Sequence, residues 1–189
     1  MRHFLRLLML CPGLVLSGPA FAACGVATTV SDDLGAYSSN ALKAGAPPYL
    51  SKFGGFSCSS ASLIRFLPAL LKATAASGSV YKLISATSSE TVSYQLAAAA
   101  DGSSPLVPGT ATYYVNGAAL NLLGSGRTSV PVYVKLSSST AVTRGVYTGS
   151  VAIRWEWSFC SSIGVLNACV GTLEQNLIIP VHSRRLRSS

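Results

Sequence analysis

The stretch GSVAIRWEWSF, residues 149–159, decides the fold. Val151, Ile153, Trp155, Trp157 and Phe159 fall on one parity, and Ser150, Ala152, Arg154, Glu156 and Ser158 on the other. Successive side chains of a strand point to opposite faces, so large apolar residues at every second position line one buried face. The same residues on a helix would be scattered around its circumference. The stretch reads as a strand with one side in a core and the other toward solvent.

The same period recurs to either side. In residues 130–136, Val130, Val132, Val134 and Leu136 share a face opposite Pro131, Tyr133 and Lys135. Pro131 cannot donate to a ladder, which marks an edge or a strand start. Further strands are predicted over 79–84, 92–96 and 173–181, and an N-terminal strand starts near Cys24. Asn116-Gly117 lies between the apolar runs 112–115 and 118–122, the pattern of a hairpin turn. One segment departs: in 62–75, Leu63, Phe66, Leu67, Leu70 and Leu71 stand at helical spacing with Pro68 inside, which suggests a short helix or an irregular buried connection. Many short strands, hydroxyl- and glycine-rich turns and almost no helix argue for an all-β sandwich. No repeat or linker divides residues 23–189, which form one domain.

The N-terminus sets the compartment. Arg2, His3 and Arg6 precede an apolar run over 7–16, broken by Pro12 and Gly13, and Ala20-Phe21-Ala22 supplies a small-x-small triplet. That is a secretory signal peptide over residues 1–22, cleaved between Ala22 and Ala23. The run is too short to be a membrane anchor, and nothing later is long and apolar enough to span a bilayer. The chain carries a net charge of +8, and losing Arg2 and Arg6 leaves it basic. Only Arg184, Arg185 and Arg187 cluster, at the C-terminus; the other cations are scattered, a solvated face rather than a nucleic-acid footprint. Cys11 leaves with the leader. Cys24, Cys58, Cys160 and Cys169 remain, an even set in an oxidising compartment and hence two disulfides. Cys160 and Cys169 are close in sequence across a turn-like segment, which pairs them and leaves Cys24 for Cys58. No C-x-x-C spacing suggests zinc. A rival reading is a lipoprotein acylated at Cys24; Phe21 stands where a lipobox has leucine, and acylation would strand Cys58.

The residues for catalysis are missing. His182 is the one histidine after the leader, and the carboxylates are Asp32, Asp33, Glu90, Asp101, Glu156 and Glu174. Asp32 and Asp33 look like turn residues ahead of Leu34-Gly35. A nucleophilic serine needs an activating base, and only His182 offers one. There is no G-x-S-x-G elbow, and Gly124-Ser-Gly126 lacks the following residues of a phosphate loop. No enzyme, cofactor or metal is expected.

Several fragments in order carry a resemblance: Cys24-Gly-Val, Leu34-Gly-Ala-Tyr37-Ser, Phe56-Ser-Cys58 with Ser62-Leu63, Val92-Ser-Tyr-Gln-Leu96 with Asp101-Gly102, Val130-Pro-Val-Tyr-Val134, Gly145-Val-Tyr-Thr-Gly-Ser-Val151, and Trp157-Ser-Phe-Cys160 with Gly164-Val-Leu-Asn-Ala-Cys169. Together they resemble spore coat protein U-like domains, the pilins of archaic, Csu-type chaperone–usher fimbriae; the family usually has Phe where Leu34 stands. The resemblance implies an immunoglobulin-like sandwich that lacks its last strand. It implies a periplasmic pilus chaperone, an outer-membrane usher and neighbouring pilus subunits as partners, with a donated strand completing the fold. It implies a fimbrial, cell-surface location and a role in attachment and biofilm formation. Two features depart from it. Only Ala23 precedes Cys24 after cleavage, so there is no extension to donate, which points to a terminal or minor position in the fibre. The chain also runs on into 173–181, a strand that either pairs at an edge or completes the fold. Phe66, Leu67, Leu70 and residues 163–166 are candidates for a sticky tip, with core packing the simpler role for the first three. A self-complete secreted binding module and a Cys24-anchored outer-membrane lipoprotein remain the alternatives.

Overall fold

The computed structural model describes residues 24–44, 50–58, 68–118, 128–137, 139, 142–158 and 170–184. They form 11 strands and one short helix: β1 (Cys24–Gly25), β2 (Thr29–Ser31), β3 (Ala36–Ser38), α1 (Ser39–Lys43), β4 (Leu50–Cys58), β5 (Pro68–Ala75), β6 (Lys82–Ser85), β7 (Thr91–Ala97), β8 (Ala111–Ala118), β9 (Thr128–Leu136), β10 (Gly145–Ser158) and β11 (Val170–Arg184).

The alternation in β10 and β9 is realised. Val151, Ile153, Trp155 and Trp157 are buried while Ser150, Ala152 and Arg154 are exposed; Val132, Val134 and Leu136 are buried beside half-buried Pro131, Tyr133 and Lys135. One group of ladders runs β1-β4-β9-β7, and all of it is antiparallel. The other centres on β10, with β11 on one side and β6 and then β5 on the other; β5 in turn pairs with β8. Strand β7 joins the groups, because Thr91, Val92 and Ser93 pair with β6 and Tyr94 to Ala97 pair with β9. The groups pack face to face. The Phe56 ring of β4 lies 6.3 Å from Trp155 and 5.1 Å from Trp157 of β10, at tilted angles that aromatic quadrupoles favour.

Two irregularities shape this interface. The β4–β9 register shifts between Phe53 and Phe56, and a Cβ on Gly55 would overlap the Val130 carbonyl. Glycine is what lets that bulge press against its neighbour strand. In β8, Val115 faces Leu71 and Tyr113 faces Lys72, so Tyr114 is the extra residue of a bulge. The bulge turns Tyr114 inward, 5.2 Å from Trp155, and its hydroxyl donates to the Pro131 carbonyl (3.3 Å). Burial pushes its phenol pKa up.

The structure corrects two expectations. Residues 68–75 are strand β5 rather than helix or irregular connection, with Leu71, Ala73 and Ala75 buried on one parity. Ladders on both sides of β5 satisfy its backbone, and Pro68 stands first, where no amide is needed. Asn116-Gly117 is no turn either: both residues lie inside β8, paired with Leu70 and Ala69. Residues 62–67 lie outside the described residues, as do 119–127.

Candidate functional site

The candidate site is the seat of β11. Its sequence, VGTLEQNLIIPVHSR, sends Gln175, Leu177, Ile179, Val181 and Ser183 inward, each at most 4% exposed. Fully burying Leu177, Ile179 and Val181 stabilises by roughly 1.5–3 kcal/mol each. Their sum rivals the whole net stability of a typical domain, about 5–15 kcal/mol, so this strand is integral to the fold.

β11 is paired on both sides. On one it runs antiparallel along all of β10, from Gly145↔Ser183 to Ser158↔Val170. On the other it runs parallel to β2, through Asn176↔Thr29 to Ile178↔Ser31, and to β3, through His182↔Ala36 to Arg184↔Ser38. The segment between β2 and β3 adds bonds: Asp32 N and Leu34 N donate to the carbonyls of Ile178 (3.4 Å) and Pro180 (3.0 Å). Asn176 N donates to Thr28 O (2.8 Å) and His182 N to Gly35 O (3.0 Å). Pro180 lies on the same parity, so its missing amide faces the interruption between β2 and β3, where a proline is tolerated.

Side chains pin the seat along its length. Trp155 Nε1–H donates to Gln175 Oε1 (3.2 Å), and Gln175 Nε2–H donates to the Ala27 carbonyl (3.0 Å). Both ends of a fully buried amide are thus used, as burial requires. His182 Nε2 lies 3.1 Å from an Asp33 carboxylate oxygen, and the Ser183 and Ser39 hydroxyls are 3.1 Å apart. The turn ahead of β3 places Asp33: Gly35 takes a positive φ of 103°, and its amide donates to Asp33 Oδ1 (2.8 Å).

The remaining polar groups build loops. Glu90 accepts from Thr143 N (2.8 Å), Thr143 Oγ1 (2.7 Å) and Tyr147 OH (2.8 Å), and these hydrogen bonds hold its carboxyl below the usual range. Among the described residues no group of His, Cys, Asp and Glu is disposed to hold a metal, and no helix is long and apolar enough to cross a membrane.

Among the sequence candidates, the backbones of Cys24 and Cys58 stand directly opposite each other in the β1–β4 ladder. His182 is half-buried in β11 with its side chain 43% exposed, and Leu70 is half-buried in β5. Ala22, Ala23, Phe66, Leu67, Cys160, residues 163–166 and Cys169 lie outside the described residues. Gln175 was missed by the sequence reading; its only signal was its inward parity with Leu177 and Ile179.

The chain is similar to a chain of the CsuC-CsuE chaperone-tip adhesion subunit pre-assembly complex from archaic chaperone-usher Csu pili of Acinetobacter baumannii. The TM-score is 0.64 at 16% identity, over 86% of this chain and 60% of that one, so this chain spans less than two thirds of that protein's length. A second similarity, to the CooA pilin subunit from enterotoxigenic Escherichia coli, has a TM-score of 0.47 at 11% identity, over 86% of this chain and 98% of that one. No curated protein matches the sequence. The Spore Coat Protein U domain family matches residues 16–154, ending inside β10 and before β11. With that match spanning most of its length, the chain belongs to the Spore Coat Protein U domain family.

Proposed function

We propose that this domain is an exported structural or adhesive subunit of a chaperone–usher pilus, in a terminal or minor position, serving surface attachment and biofilm formation. The observation that carries the reading is the family match over residues 16–154, joined to the all-β fold it shares with a chain of a chaperone–tip adhesion subunit complex. The partners are then a periplasmic chaperone, an outer-membrane usher and neighbouring subunits.

The pairing order supports an immunoglobulin-like sandwich, with β1-β4-β9-β7 as one layer and β5-β10-β11 with β2 and β3 as the other. The Cys24↔Cys58 register supports the disulfide between them, since partners in an antiparallel ladder have Cα atoms about 4.5–5.5 Å apart, within disulfide reach. The terminal position rests on cleavage after Ala22.

Deleting the gene in its native host and labelling sheared fibres with antibody tests the reading. Sparse labelling at fibre ends, with reduced surface attachment in the deletion strain, is expected. Absence from fibres, with attachment unchanged, would contradict it. A second reading, a self-complete secreted binding module, is favoured by one observation: β11 has strand neighbours on both sides.

A further inference from the structure

We infer that β11 is a built-in complementing strand, so that the seat between β10 and the β2–β3 edge is closed to any strand from another chain. The inference goes beyond the pilus reading and stands on the strand pairing itself: the place where a donated strand would enter is already filled, so a place on a fibre requires a contact other than a strand donated into this seat.

Three observations carry it. From Asn176 to Ser183 the backbone is spent: β10 pairs on one side of β11, and β2, Asp32, Leu34, Gly35 and β3 take up the other. The side-chain pockets are spent: Leu177, Ile179 and Val181 are wholly buried, and Gln175 ties Trp155 to the N-terminal segment. The connection also favours the cis strand. Ser158 pairs with Val170, so β11 starts beside the end of β10 and is presented to its seat at an effective concentration on the order of millimolar. A free strand of equal affinity would have to reach that concentration to displace half of it. A chaperone or a neighbouring subunit that holds this domain therefore does so elsewhere than at this seat.

The test uses the full mature chain. Hydrogen–deuterium exchange should find the amides of Asn176, Ile178 and His182 protected as strongly as those of β10, by at least about a thousandfold over an unstructured chain. A synthetic peptide of residues 170–184 should neither bind the wild-type chain nor shift its melting. The double variant Leu177→Asp/Ile179→Asp expels β11, and the same peptide should then bind and raise the melting temperature. If that variant does not fold, the exchange measurement on the wild type decides alone. Unprotected β11 amides, or a wild-type chain that takes up the peptide, overturn the inference. The two readings fail separately. Protected β11 in a chain absent from fibres sinks only the pilus reading; unprotected β11 in a chain found on fibres sinks only this one.

Discussion

Replacing Gln175 probes the seat at its most constrained point. Its amide is wholly buried and makes two hydrogen bonds, one from the Trp155 indole and one to the Ala27 carbonyl. Gln175→Leu keeps a comparable bulk, replaces the amide by an apolar group and removes both bonds. Trp155, itself fully buried, is left with an unsatisfied N–H, which costs about 1–3 kcal/mol. Ala27 is exposed, so water replaces its lost partner at little cost. Relief from burying the amide offsets part of the loss, leaving a net destabilisation of about 1–2 kcal/mol. Gln175→Ala adds a cavity and should cost more, about 2–4 kcal/mol. For a domain of this size each kcal/mol lowers Tm by about 2–4 °C. Urea unfolding followed by tryptophan fluorescence measures both variants, since the two tryptophans, Trp155 and Trp157, are adjacent on the β10 face that packs on Phe56. The expected order is wild type, then Leu, then Ala. A Leu variant more stable than wild type would show that the indole N–H does not depend on Gln175.

Peptide mapping of unreduced protein should find Cys24 joined to Cys58 and Cys160 to Cys169, and replacing either pair by serine should cost about 2–4 kcal/mol; an acylated Cys24 would establish the lipoprotein instead. Gly55→Ala places a Cβ against the Val130 carbonyl, and chemical denaturation should show a loss of at least about 2 kcal/mol; a neutral result would mean the bulge relaxes freely. Glu90 has its folded pKa lowered from 4.5, by its hydrogen bonds to Thr143 first and to Tyr147 next. Its contribution is therefore present above about pH 4.5 and is lost as pH falls through the lower folded value. Wild type should exceed Glu90→Gln in stability above that pH, and the gap should close in acid; a gap constant with pH would show that Glu90 ionisation plays no part.

The strands whose partners do not matter to their pattern were legible. In β10 and β9, one-sided burial writes itself as alternation, and parity alone names Trp155, Trp157, Val132 and Val134 as core. The β5 segment misled because Leu70 and Leu71 fit a helical stripe with the leucines before them, while the ladders that make it a strand come from β8 and β10, far away in sequence. Asn116-Gly117 misled for the same reason: a strong local turn signal lost to continuous pairing with β5. In β11, residues 173–181 were readable as a strand, but its seat was not. Whether a strand lies at an edge or between neighbours depends on β2 and β3, near the other end of the chain. Gln175 stayed hidden because a polar residue at an inward position shows its purpose only once Trp155 and Ala27 are beside it.

The central claim, a family member that closes its own fold, is tested most directly by exporting the mature chain to a periplasm that holds no pilus chaperone. A soluble monomer is expected, with a melting temperature that matches that of material made with the chaperone present. Recovery only as a chaperone complex, or as aggregate without it, would contradict that claim and place β11 outside its seat.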